Sequence, residues 1–147
     1  MEHLFQTWDS FSADVKAAPH VLLLSDYDGT LTPIVSRPKD AVLSPGVREK
    51  LRALAANKSF TIGIGSGRSL SDVEALTGIE GIYYAGNHGL EIKGPDLNYM
   101  NPVALTARTE MEGLTRQFTD KLAGIEGALV ENKGLSLSVH YRLVKEC

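Results

Sequence analysis

Cysteine is nearly absent from this 147-residue chain: the one copy is the last residue, Cys147. No internal disulfide can form, the usage expected of a reducing compartment. Aromatic residues are scarce, and Trp8 is the single tryptophan. No apolar run approaches the ~20 residues that a membrane helix needs. The opening MEHLFQTWDS lacks the basic stretch and apolar run of a signal peptide. These absences predict a cytoplasmic chain with no membrane partner. Positive charge is not in excess either. Fifteen Lys and Arg against 18 Asp and Glu leave a formal net charge of −3, without the basic footprint of a nucleic-acid binder. An anionic substrate would have to meet a local basic patch. Asn57-Lys58-Ser59 matches a glycosylation sequon that a cytoplasmic chain would not use.

Short apolar runs alternate with helical patterns. Leu4, Trp8, Phe11 and Val15 fall at helical spacing and predict an N-terminal covering helix. Val21 to Ser25 is too short for a helix and almost wholly apolar, which suits a strand buried on both faces of a parallel sheet. Ser44-Pro45 reads as an N-cap with proline at the first helical position, and Val47, Leu51, Leu54 and Ala55 give that helix its apolar face. Phe60 to Ile64 is a second strand. Ser69 and Asp72 read as a capping box for a helix that Gly78 ends, and Ile82 to Ala85 is a third strand. Strands alternating with helices imply an α/β fold with a Rossmann-like parallel sheet, and such sheets bind ligands beyond the carboxyl ends of their strands.

The pattern changes near residue 98. Asn101-Pro102 can start a helix whose apolar stripe runs from Ala104 to Leu122, and Gly124 can stop it. Ala128 to Glu131 and Leu135 to Arg142 read as a hairpin around Asn132-Lys133-Gly134. In its second strand Leu135, Leu137, Val139 and Tyr141 should face inwards, with Ser136, Ser138, His140 and Arg142 outwards. Residues 1–98 and 99–147 are therefore expected to form two units, the second laid over the first.

Chemistry concentrates in VLLLSDYDGTLTP, Val21 to Pro33. Residues two apart on a strand point the same way, so Asp26 and Asp28 would converge if extended geometry persisted. Two carboxylates that close need a cation or a shared proton. Mg²⁺ takes oxygen ligands and binds through one or two carboxylates plus phosphate. Asp26 could attack phosphorus and form an aspartyl-phosphate, while Asp28 protonates the leaving oxygen and then activates water. Gly29 and Thr30 would offer N–H groups to phosphate oxygens. A plain Asp-Gly turn is the competing reading of an isolated D-x-D-G. A calcium loop fails because Leu31 stands where its glycine belongs, and a dinucleotide loop over Gly63 to Arg68 fails because Arg68 replaces the third glycine.

Asp26-Tyr27-Asp28-Gly29-Thr30-Leu31 resembles the first motif of the haloacid dehalogenase superfamily of phosphotransferases. The resemblance implies Asp26 as nucleophile and Mg²⁺ ligand, and Asp28 as acid/base with its main-chain carbonyl on the metal. Ser66-Gly67-Arg68 resembles the second motif, which holds the transferring phosphoryl group. Gly86-Asn87-His88-Gly89-Leu90-Glu91, with Val130-Glu131-Asn132-Lys133-Gly134 through His140-Tyr141-Arg142, narrows the likeness to trehalose-6-phosphate phosphatases. In that family an α/β core carries the chemistry and an inserted α+β cap closes over the sugar. The likeness implies a sugar-phosphate substrate, sugar contacts from Glu131 and Lys133, and Asn87 and His88 beside the site. His140 reads as a surface or partner-packed histidine.

The family pattern continues with a later lysine and a later acidic cluster, and neither follows before Cys147. Core and cap are therefore expected to be incomplete here, and the chain as it stands to be a poor catalyst. Three functions compete: hydrolysis of trehalose 6-phosphate in trehalose biosynthesis; another sugar-phosphate phosphatase, of the sucrose-phosphate or mannosylglycerate type; and a non-catalytic module that binds sugar phosphate or a trehalose-phosphate synthase.

Overall fold

The computed structural model describes residues 3–145. It is an α/β fold. A five-stranded sheet is formed by β1 (Val21–Asp26), β2 (Phe60–Gly65), β3 (Tyr83–Gly86), β4 (Glu91–Lys93) and β5 (Asn98–Met100), in the order β1-β2-β3-β4-β5. The first three strands are parallel, joined through α2 (Pro45–Ala55) and α3 (Leu70–Thr77); β4 and β5 turn back antiparallel. The strands β4 and β5 carry no period long enough to read in the sequence, at three residues each.

The helix signals work as chemistry requires. Ser44 Oγ accepts from Val47 N at 3.4 Å and Ser69 Oγ from Asp72 N at 3.2 Å, each satisfying an orphan donor of the first turn. Gly78 closes α3 in the left-handed conformation, with φ at 61°. Leu51 of α2 and Val73 of α3 bury against Ile62, Ile64, Ile82 and Tyr84 of the sheet region, and Tyr27, Ala41 and Leu43 complete that core.

Two expectations need correction. The N-terminal helix α1 forms over Trp8–Ala17 but buries none of its residues, so it covers nothing: Trp8 is 48% and Phe11 44% exposed. Helical spacing predicts a stripe, not a partner for it. The strand β1 is not buried on both faces. It lies at the sheet edge with β2 as its one neighbour, and Leu22 and Leu24 are 59% and 69% exposed.

Beyond the sheet, the stripe expected from Ala104 to Leu122 is divided into α4 (Pro102–Thr106) and α5 (Arg108–Leu122), with Ala107 at the junction. Asn101 Oδ1 caps α4 by accepting from Val103 N and Ala104 N. The second sheet is the hairpin β6 (Leu129–Asn132) and β7 (Leu137–His140), in the register Leu129↔His140 to Asn132↔Leu137. Its sidedness differs from the alternation read in sequence. Val139 and Tyr141 are 40% and 79% exposed, whereas Ser136 bonds Asn87 of the core and His140 pairs with Glu131 on the neighbouring strand β6. Leu135 is buried and Leu137 half-buried, as the alternation expects, so the inward apolar side holds at the start of the strand and is lost towards its end.

Candidate functional site

Parallel register brings three strand ends level. Asp26 pairs with Gly65, and Gly65 pairs with Ala85. Three loops therefore leave the same edge of the sheet: 27–32 after β1, 66–69 after β2 and 87–90 after β3. Asp26 is exposed there, and its carboxylate makes no hydrogen bond or ion pair among the described residues. An open cleft of about 600 Å³ runs along the sheet from Leu24 and Asp26 past Ser66 and Gly67 to His88.

The first loop turns sharply after Asp26. Leu31 N and Thr32 N both donate to Tyr27 O, at 3.1 and 3.0 Å, and Gly29 has a φ of 84°. Tyr27 is fully buried, its hydroxyl donating to Ala41 O at 2.9 Å. Burial of the ring pushes its pKa above the ordinary tyrosine value.

Extended geometry thus ends at Asp26, and Asp28 follows a different course. Both of its carboxylate oxygens are taken by Arg68: Nε at 2.8 Å on Oδ2 and Nη2 at 2.6 Å on Oδ1. Arg68 Nη2 also donates to Pro38 O at 2.7 Å, and its guanidinium lies 5.6 Å from the Tyr27 ring centre. Burial works against the Arg68 charge, but the hydrogen bonds and charge of Asp28 outweigh it and hold its pKa above the usual value. The Arg68 side chain is therefore spent on Asp28. Among the described residues no three acidic, histidine or cysteine side chains gather as a metal cluster.

The second and third loops are zipped together. Asn87 N donates to Arg68 O at 2.6 Å, and His88 N to Ser66 O at 3.0 Å. Ser66 is 6% exposed, and its Oγ accepts from Arg68 N at 3.1 Å. Gly67 lets the His88 ring lie close over the loop, since a Cβ there would stand 2.7 Å from His88 Nε2 and push the ring aside. Asn87 and His88 both hold positive φ, 49° and 58°, a conformation asparagine tolerates better than most residues.

The hairpin completes the arrangement from above. Lys133 Nζ donates to Gly67 O at 2.8 Å and lies 3.9 Å from Glu131 Oε2. Glu131 Oε2 is also 2.8 Å from His140 Nε2, so His140 is packed against a carboxylate. Arg142 Nη1 donates to Val35 O at 2.6 Å. Asp26, Ser66, Gly67 and His88 thus border one cleft, and Lys133 reaches the Gly67 carbonyl of its wall with Glu131 beside it; the side chains of Asn87 and Arg68 are engaged inside the protein. Two contributors were given no role by the sequence: Glu91, the last residue of the Gly86-to-Glu91 motif, and Ser136 of the hairpin each bind the Asn87 amide at 2.6 Å.

Comparison with known proteins follows the same lines. Residues 24–147 match the trehalose-phosphatase family model. The chain is 36% identical to the trehalose-phosphate phosphatase of Mycobacterium ulcerans over 95% of its own length and 37% of that protein. It is 42% identical to an uncharacterized glycosyl hydrolase of Mycobacterium tuberculosis, over 82% of the chain and 9% of that protein. Among solved structures, the C-terminal domain of C. albicans trehalose-6-phosphate phosphatase superposes with a TM-score of 0.75 at 28% identity, covering 90% of this chain and 46% of that one. The chain spans little more than a third, at most, of these curated relatives.

Proposed function

The chain belongs to the trehalose-phosphatase family, and on that premise we propose that it supplies the nucleophile, phosphate loop and part of the sugar cap of a phosphatase for trehalose 6-phosphate. Residues 1–98 are the core and 99–147 the cap in this reading. The observation that carries it is the register Asp26–Gly65–Ala85, which aligns an unengaged carboxylate with the Ser66–Gly67 loop while Lys133 reaches the same loop from the hairpin.

The roles follow from position. Asp26 attacks phosphorus, forming an aspartyl-phosphate as the bond to the sugar oxygen breaks. Asp28 gives its proton to that leaving oxygen, then takes one from the water that attacks phosphorus; phosphate departs and the Asp26 carboxylate returns. Because Arg68 holds both oxygens of Asp28 as an ionised carboxylate, Arg68 must yield one oxygen and that oxygen must take a proton from solvent before Asp28 can act as the acid. Ser66 and Gly67 hold the phosphoryl oxygens. Arg68 acts through Asp28, not on substrate. Glu131 and Lys133 meet the sugar hydroxyls, and His88 borders the phosphate side.

The residues fit a hard divalent cation. Every donor is oxygen, and the Asp26 carboxylate is free of protein partners, the donor chemistry suited to Mg²⁺. Asp26 and the Asp28 main-chain carbonyl would hold it. When bound, it supplies positive charge that lets an anionic carboxylate approach an anionic phosphate. A sugar phosphate is the small-molecule partner, and association with a trehalose-phosphate synthase is the macromolecular one.

The test is phosphate release from trehalose 6-phosphate by the chain extended to the length of its relatives. Activity should vanish in excess chelator, return with Mg²⁺, and vanish in Asp26→Asn. Turnover that survives either treatment would overturn this assignment.

A further inference from the structure

The Asn87 side chain is fully buried, yet it is polar and lies between two parts of the molecule that are distant in sequence. Its Nδ2 donates to Glu91 Oε1 at 2.6 Å and to Lys133 O at 3.0 Å. Its Oδ1 accepts from Ser136 Oγ at 2.6 Å. The amide orientation is forced, since a carbonyl and a carboxylate can only accept and the hydroxyl can donate. Its main-chain N–H donates to Arg68 O at 2.6 Å. One residue therefore holds the phosphate loop with its backbone and the hairpin turn with its side chain.

We infer that Asn87, with Ser136, is the positioning residue that seats Lys133 on the phosphate loop. Lys133 is fixed at both ends: its carbonyl by Asn87, and its Nζ by Gly67 O at 2.8 Å. Asparagine suits the place on two counts. It offers two donors and an acceptor on a short side chain, and it accepts the positive φ found here. Aspartate would lose both donors and set a carboxylate against Glu91. Buried and fully paired, the amide favours the docked hairpin, because undocking strips partners from a group shielded from water. As a role in sugar recognition this rests on the phosphatase reading; the hydrogen-bonded arrangement itself does not.

The test uses hydrogen exchange and NMR on the 147-residue chain, with no turnover involved. Asn87→Gly removes the amide without left-handed strain, Ser136→Ala removes only the hydroxyl, and Ser136→Thr keeps it. The first two should speed exchange of hairpin amides 129–140 about tenfold while β2 stays protected, and should broaden or shift the Lys133 ammonium resonance. Ser136→Thr should restore both signals. Where Asn87→Gly does not fold, the Ser136 pair decides. Unchanged hairpin exchange, equal acceleration throughout β2, or failure of Ser136→Thr to restore would overturn the inference. The phosphatase reading stands or falls separately, on Asp26→Asn.

Discussion

The strand ends and the hairpin reach the same space by different means. Asp26, Gly65 and Ala85 are set by main-chain ladders across three parallel strands, and loops 66–69 and 87–90 are joined by further main-chain hydrogen bonds. The backbone approaches so closely that side chains are excluded: a Cβ on Gly86 would lie 2.3 Å from Leu70 N. The hairpin has no ladder to the first sheet. Its hydrogen bonds to the core all involve side chains, through Lys133, Ser136, Asn87 and Arg142. Ladders fix position to a fraction of an ångström and leave little freedom. A few side-chain hydrogen bonds can be exchanged for water at modest cost. The strand ends are thus held by the main chain, and the hairpin's place over them depends on a handful of side chains.

Breaking the rigid side should cost most. In the extended protein, Asp26→Asn should lower kcat on the order of 10⁴-fold, as removal of one essential group does, with the thermal midpoint nearly unchanged; phosphate release and a melting curve check both halves. Gly86→Ala strikes the same side through packing. It should destabilise the chain by about 3 kcal/mol, the upper range for forcing extra volume into a tight core, measured as a drop in denaturant midpoint. A variant as stable as the parent would show that α3 shifts more freely than its contacts imply.

The hairpin side should give smaller and more selective losses. Lys133→Ala should lower kcat/KM for trehalose 6-phosphate about 10- to 100-fold, the range for lost polar recognition of a substrate group. Hydrolysis of a small aryl phosphate, which has no sugar for the hairpin to grip, should change far less. Equal losses on both substrates would move Lys133 from sugar recognition to the chemical step.

The smallest effect is electrostatic and belongs to the core alone. Burial raises the pKa of Tyr27 and Tyr84 above the ordinary 10.0. Their neutral forms are thus favoured by folding, and that contribution is whole below pH 10.0 and is lost as pH rises through the folded values. Denaturant midpoints should be insensitive to these two groups from pH 7 to 9 and fall above 10. Tyr84→Phe should flatten that fall.

How much of this was legible follows the same division. The apolar runs at Val21, Phe60 and Ile82, with their caps and glycines, mark the three parallel strands, and the placing of Asp26 and Ser66 just past two strand ends follows from them. Local sequence carries that information because each strand and cap is a matter of a few adjacent residues. Burial of β1 was not legible, since exposure depends on how many neighbours a strand finds and not on its own composition. The exposure of Val139 and Tyr141 was not legible for a related reason: alternation tells two faces apart but not how far along the strand its covering partner extends. The engagement of Asp28 by Arg68, forty residues away, had no local signature at all.

One tryptophan, Trp8, sits on a helix that buries nothing and is half exposed, with Phe5 and Phe11 as its aromatic neighbours. Its fluorescence therefore reports the state of the N-terminal segment. A titration with phosphate or sugar followed at tryptophan emission would look silent even at saturation, and a melting curve read the same way would record the unwinding of α1, not collapse of the sheet. Tyr27 and Tyr84 are the chromophores that see the core. Near-ultraviolet tyrosine absorbance, or a tryptophan introduced on the hairpin, would make the functional end of the molecule visible to optical methods.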